Sequence, residues 1–165
     1  MNPATDLTII SGGQTGADRA ALDFALAAGL AHGGWAPRGR RAEDGPIDPR
    51  YGLRETPGWE YSQRTQWNIR DSDATVVFSL AEGVIGGTRL TIELARRLGK
   101  PWLHLPRDVG DKAAGDREAA CGAALRGFLT AYRVRRLNVA GPRASQAPGI
   151  EAFVDGVLRA ALSTQ

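Results

Sequence analysis

Short apolar runs of β type alternate along this chain with stretches whose apolar positions recur every three or four residues. Leu7 to Ser11 is the first run, and Ala17 to Ala28 follows it with Ala20, Ala21, Phe24 and Ala28 at helical spacing. Ala74 to Leu80 opens a second unit: its turn, Glu82-Gly83-Val84-Ile85-Gly86-Gly87-Thr88, leads into a helix that Gly99-Lys100-Pro101 stops. Trp102 to Leu105 begins a third, followed by a helix from about Asp116 to Tyr132 with the stripe Leu125, Phe128, Leu129 and Tyr132. The last unit passes from Leu137-Asn138-Val139-Ala140 through Gly141-Pro142-Arg143 into an amphipathic helix bearing Ile150, Phe153, Val154, Val157, Leu158 and Ala161. Strands that alternate with helices pair in parallel, so the pattern predicts a layered α/β fold with a mainly parallel sheet and helices on both faces.

Length adds a bound. At 165 residues the chain has the size of one domain, and it shows neither an internal repeat nor a second apolar core. Residues 1–5 read as a flexible tail. Pro37 to Trp59, rich in Gly, Pro, Arg and acids, has no periodicity and reads as a functional or mobile loop. A net charge of +3 permits an anionic partner without indicating nucleic acid. Cys121 is the one cysteine, and His32 and His104 lack ligand spacing, so the sequence offers no metal cluster. No apolar run is long enough to span a bilayer and the N-terminus has no signal-peptide pattern, which makes a cytoplasmic protein the expectation.

In a parallel sheet each strand-to-helix loop leaves from the same edge, so loops distant in sequence meet where open α/β sheets bind ligands. Ser11 to Asp18, Glu82 to Thr88 and Gly141 to Gln146 should therefore share an edge, with Pro37 to Asp44, after a strand near Gly34 to Ala36, joining them. Gly12 and Gly13 let a ligand approach the backbone, and the next helix offers free N–H groups and the positive end of its dipole. Thr15 and Asp18 have a second reading as a capping box, and Thr88 as a helix cap. The first loop is neither a Walker motif nor Gly-x-Gly-x-x-Gly, which speaks against ATP hydrolysis and NAD chemistry. Spacings of three and four put Arg64, Thr65 and Asn68 on one face of a helix from Tyr61 to Arg70. The four tryptophans read as packing.

Taken in order, Ser11-Gly12-Gly13-Gln14-Thr15-Gly16-Ala17-Asp18, Gly34 to Arg40 with Ala42-Glu43-Asp44-Gly45, Arg64-Thr65 with Asn68, Asp71-Ser72-Asp73, Gly86-Gly87-Thr88 and Asn138 to Arg143 carry a resemblance. The set resembles the molybdenum cofactor carrier-like proteins, within a Rossmann-like superfamily that also includes the lonely-guy phosphoribohydrolases. It implies a Rossmann-like homo-oligomer that holds molybdenum cofactor (molybdopterin), or molybdate itself, and passes it unaltered to recipient molybdoenzymes. Because the pterin dithiolene ligates molybdenum, such a carrier needs no Cys or His cluster. By position, the backbone of Gly12, Gly13, Gly16, Gly86 and Gly87 with Thr15 and Thr88 would bind phosphate or oxo groups. Gln14, Asp18, Arg19, Arg64, Asn68, Asn138 and Arg143 would orient the rest. Asp18 fits least well, since an exposed carboxylate repels an anion; a helix cap or an arginine pair is its other reading.

Two other functions compete. The related phosphoribohydrolases carry acids shortly after their second Gly-Thr, whereas Thr88 here is followed by Arg89, Leu90 and Thr91, with the first acid at Glu93 turned away by helical spacing. Binding of a nucleotide or single-stranded DNA has still less support, because no basic stripe interleaves with aromatics. The alanine-rich helices Ala17 to Ala28 and Ala113 to Ala124 suit either subunit contacts or packing within one monomer.

Overall fold

A computed structural model describes residues 6–163; the tail expected at residues 1–5 lies outside them. The elements are β1 (Thr8–Ile10), α1 (Ala17–Ala28), β2 (Ala31–Gly33), β3 (Trp35–Ala36), β4 (Arg41–Ala42), β5 (Gly45–Pro46), a 3-10 turn (Pro49–Tyr51), β6 (Arg54–Glu55), α2 (Tyr61–Arg70), β7 (Ala74–Ser79), α3 (Gly86–Arg97), β8 (Trp102–Pro106), α4 (Ala114–Ala131), β9 (Arg136–Ala140) and α5 (Ile150–Leu162). Five strands form one parallel sheet in the order β2-β1-β9-β7-β8. With helices on both faces this is the three-layer Rossmann-like fold that the alternation predicts.

Period-two alternation divides the two faces. Ala74, Val76 and Phe78 of β7, with Leu137 and Val139 of β9, enter the main core beside α1, α4 and α5. Thr75 and Asn138 point to the opposite face, where Asn138 Nδ2 donates to Thr75 Oγ1 at 3.2 Å. The alanines of α1 and Gly122 of α4 act inside the monomer: Ala20, Ala21 and Ala25 are buried, and a Cβ on Gly122 would strike Ala160 of α5. Small residues at these crossings let the helices approach closely.

The strand expected near Gly34 to Ala36 is Trp35–Ala36, but the sheet strand that follows α1 is Ala31–Gly33, which the pattern did not single out. Gly34, at φ +133°, turns the chain out of the sheet, and Trp35–Ala36 pairs instead with Arg54–Glu55. The irregular segment is tied to itself by a hairpin between β4 and β5 and by a small core of Ile47, Tyr51 and Leu53 against Leu22, Ala36 and Ala42. Arg40 ties the segment further by donating to the carbonyls of Ile47, Asp48 and Leu53.

The sheet order positions the site. The crossover after β1 runs outward to β2 and that after β7 runs outward to β8, on opposite sides. Their loops therefore diverge above the carboxyl end of the sheet, and β9 delivers a third loop into the crevice between them.

Candidate functional site

The crevice is a cleft of about 130 Å³. Gly12, Gln14 and Asp18 line it from the first loop, Gly87 and Thr88 from the start of α3, and Asn138 and Gly141 to Arg143 from the end of β9. The three turns thus meet at one edge. Arg64 and Asn68 complete the wall from α2.

Arg64 organises the floor. It is buried, donates from Nη1 to Gly12 O at 2.7 Å, and stands 3.8 Å from Asp18 Oδ2. Asp18 is not an exposed carboxylate: it is buried and takes up the arginine pair, the other reading of its place in the loop. Its Oδ2 also accepts the Gln14 N–H at 3.4 Å. Burial pushes the Asp18 carboxyl up to about 6, against the lowering pull of Arg64, the Gln14 N–H and Arg19.

The capping readings are also revised. Gly16 is the N-cap of α1, and α1 has no side-chain cap. Thr15 instead receives the Ala144 N–H and donates to Glu43, while Ser145 closes on the same carboxylate. Those hydrogen bonds hold the Glu43 carboxyl below its ordinary range. Thr88 lies three residues beyond Ile85, the N-cap of α3, and is buried in the cleft wall without capping anything.

Donors divide unequally between the two glycine loops. In the first loop Gly13 N–H goes to Ser11 Oγ, Gln14 N–H to Asp18, Thr15 N–H to Gln14 Oε1 and Ala17 N–H to Pro142 O. A main chain so committed has little left for a ligand. Gly13 and Gly16 are there for their backbone, at φ +74° and +82°, and for close packing: a Cβ on Gly13 would meet Leu53 and Ile47, and one on Gly16 would strike Pro142 O. Neither lines the cleft, nor do Thr15, Gly86 and Arg19. Arg19 pairs with Asp44 at 2.9 Å and donates to Gly13 O. At α3, by contrast, no side-chain cap is present, and the first N–H groups of a helix have no partner within it. Gly87, where an added Cβ would meet open space, leaves that end accessible.

Replacing Gly16 by alanine should therefore cost about 2–3 kcal/mol in urea unfolding, from a left-handed φ and a backbone clash together, while Gly86→Ala, at φ +55° in open space, should cost only about 1 kcal/mol. Equal losses would remove the packing argument for Gly16.

Gln14 is the most telling residue of the cleft. Its Oε1 accepts the N–H groups of Thr15 at 3.0 Å and Glu43 at 2.9 Å, which fixes the amide orientation, because a flipped amide would set donors against donors. The Nε2 is thereby held as a donor, and it is buried without a partner among the described residues.

Sequence reasoning passed over Tyr61. Its spacing from Arg64, Thr65 and Asn68 already placed it on their face, and it lines the cleft with them. The guanidiniums of Arg41, Arg64 and Arg143 lie 4.3, 5.2 and 5.3 Å from its ring centroid. Three cations around one ring give the cleft mouth a positive field. Of the tryptophans, Trp35 and Trp67 pack edge to face, and Trp59 is exposed beneath Arg38. Among the described residues no group of acids, histidines and cysteines is arranged to hold a metal ion, and no helix is long and apolar enough to cross a membrane.

Fold and site together define a Rossmann-like α/β protein with a donor-rich cleft at the carboxyl edge of its sheet. Residues 9–162 match the Circularly permutated YpsA SLOG family, and the chain belongs to that family. It is also similar to a protein of solved crystal structure named "Putative molybdenum carrier protein", from Syntrophus aciditrophicus SB, at 38% identity and a TM-score of 0.90 over 99% of this chain and 98% of that one. None of the curated proteins matches this chain.

Proposed function

We propose that this protein is a carrier for molybdenum cofactor, gripping the cargo by its phosphate or oxo groups in the cleft and releasing it to a recipient enzyme unchanged. The observation that carries the reading is the buried, unpartnered Nε2 of Gln14 in a cleft that already contains Arg64, Arg143 and the uncapped start of α3. A buried donor without a partner costs about 1–3 kcal/mol, a penalty that a bound acceptor removes. The name of the Syntrophus protein, a molybdenum carrier, supports a molybdenum-related cargo. The donor set suits an anion, and the metal would keep its own dithiolene ligands, so the chain needs to supply none.

The phosphoribohydrolase alternative requires carboxylates where Leu90 and Thr91 line the cleft. Glu93 is held by Arg89 along the outer face of α3, with Nε to Oε1 at 3.1 Å. The carboxylate that does line the cleft, Asp18, is engaged by Arg64 and the Gln14 N–H.

Native mass spectrometry of protein purified from cells that make the cofactor tests the carrier. The wild type should carry the added mass of the cofactor, and Gly87→Asp, which places a negative side chain in open space at the start of α3 without a clash, should lose it. A bare wild type from such cells would sink the carrier reading.

A further inference from the structure

The cleft combines two opposed features. Its donors number at least Gln14 Nε2, the start of α3 and two arginines, yet Asp18, an acceptor, shares the same wall. The two contacts of Asp18 are long, 3.4 Å to the Gln14 N–H and 3.8 Å to Arg64. A carboxylate offers about four lone-pair sites, and these two contacts, both to Oδ2, leave most of them open toward the cleft that Asp18 lines. Gln14, on the same loop, has the complementary deficit: a fixed donor without an acceptor.

A tetrahedral oxyanion without a proton presents acceptors on every side. It satisfies Gln14 but sets its own lone pairs against those of Asp18, and at close range in a partly buried site that repulsion is strong. An oxyanion that keeps one hydrogen satisfies both, accepting from Gln14 and donating its O–H to the carboxylate. A phosphate monoester, whose second pKa is about 6, keeps that hydrogen in part of its population near neutrality, whereas molybdate and sulfate carry none.

Resting on the carrier reading and refining it, we propose that the cleft selects a proton-bearing oxyanion, a phosphate head, and rejects fully deprotonated oxoanions, with Asp18 as the specificity-determining residue. The protein then holds its cargo by the phosphate of the organic cofactor, and free molybdate is not its ligand. Charges of the surroundings do not remove the discrimination: above neutrality hydrogenphosphate is chiefly a dianion like sulfate and molybdate, so Arg64 and Arg143 attract all three alike, and Asp18 is the carboxylate on the cleft wall.

Isothermal titration of the intact protein at pH 7.5 and constant ionic strength, where Asp18 is ionised and cannot cheaply lend a proton of its own, with inorganic phosphate, sulfate and molybdate as probes, tests this directly. Phosphate should bind at least about tenfold more tightly than either other anion, a difference of about 1.4 kcal/mol. Asp18→Asn, which puts a donor where the acceptor was, should bring the three affinities together or invert the order, with circular dichroism confirming its fold. Molybdate or sulfate binding the wild type as tightly as phosphate would overturn the selectivity and leave the carrier standing. A folded Asp18→Asn protein that keeps the wild-type ratio would remove Asp18 from the role. If none of the three binds, the inference falls, and the cofactor mass on the purified protein then decides the carrier reading separately.

Discussion

Arg64→Leu is expected to lose about 3–5 kcal/mol of stability in urea unfolding at pH 7, because it strips the countercharge from a buried carboxylate. Leucine keeps the apolar stem but not the guanidinium that stands over the Tyr61 ring, so lost packing adds to the effect. What goes is the hydrogen bond to Gly12 O at 2.7 Å and the cation 3.8 Å from Asp18. The Asp18 carboxyl already sits near 6 with Arg64 present, and Arg64 is the strongest of the groups pulling it down. Without the arginine, Asp18 takes up a proton more readily, so the loss should shrink at pH 5, where the neutral acid needs no partner. Arg143→Leu gives the contrast. Arg143 donates no side-chain hydrogen bond among the described residues and is half-buried at the cleft mouth, so this change should cost less than about 1 kcal/mol while still weakening anion binding. If Arg64→Leu proves as mild as Arg143→Leu, the buried pair does not hold the floor of the cleft.

How much of this was legible beforehand depends on whether the information is local. β7, six buried residues in succession, and α5, with its apolar stripe, declare themselves by composition and period, and from them follow the parallel sheet and the meeting of its loops. The face of α2 was equally readable, since helical spacing alone puts Arg64 and Asn68 together. β2 was missed because Ala-His-Gly has no strand propensity; it is a strand because β1 offers it a ladder, and Gly34 ends it because a Cβ there would strike Ser11 O.

The division of labour between the two glycine loops was hidden for a related reason. Both look alike as sequence, but the first is occupied by its own tertiary partners, Pro142 O and the Glu43 hairpin among them, and these lie far along the chain. The orphaned Nε2 of Gln14 belongs to the same class: it exists because Glu43, 29 residues on, takes the other half of the amide. Such a group is a product of the assembled edge, and no single stretch of sequence declares it.

The second large effect is a pH dependence that Asp18 alone should generate. Its folded-state value of about 6 lies above the ordinary 3.8, so the native protein binds this proton more tightly than the unfolded chain does. Stability from that proton is fully present below about pH 4 and is lost as the pH rises through about 6, a change of about 3 kcal/mol at most. Glu43, Asp44, Asp71 and Asp108 are held below their ordinary range by hydrogen-bonded partners, so their contribution has the opposite sign and is lost at more acid pH. His104, lowered by burial, opposes Asp18 inside the window, since a buried neutral imidazole must charge as the pH falls. The difference between wild type and Asp18→Asn cancels all of these. Arg64 stays charged throughout and adds no slope to the variant. Urea unfolding from pH 4 to 7 should then show the wild type losing about 2–3 kcal/mol relative to the variant as the pH rises. Parallel profiles would mean that Asp18 titrates like an exposed acid, and with that its claim to read the proton on a bound anion would go as well.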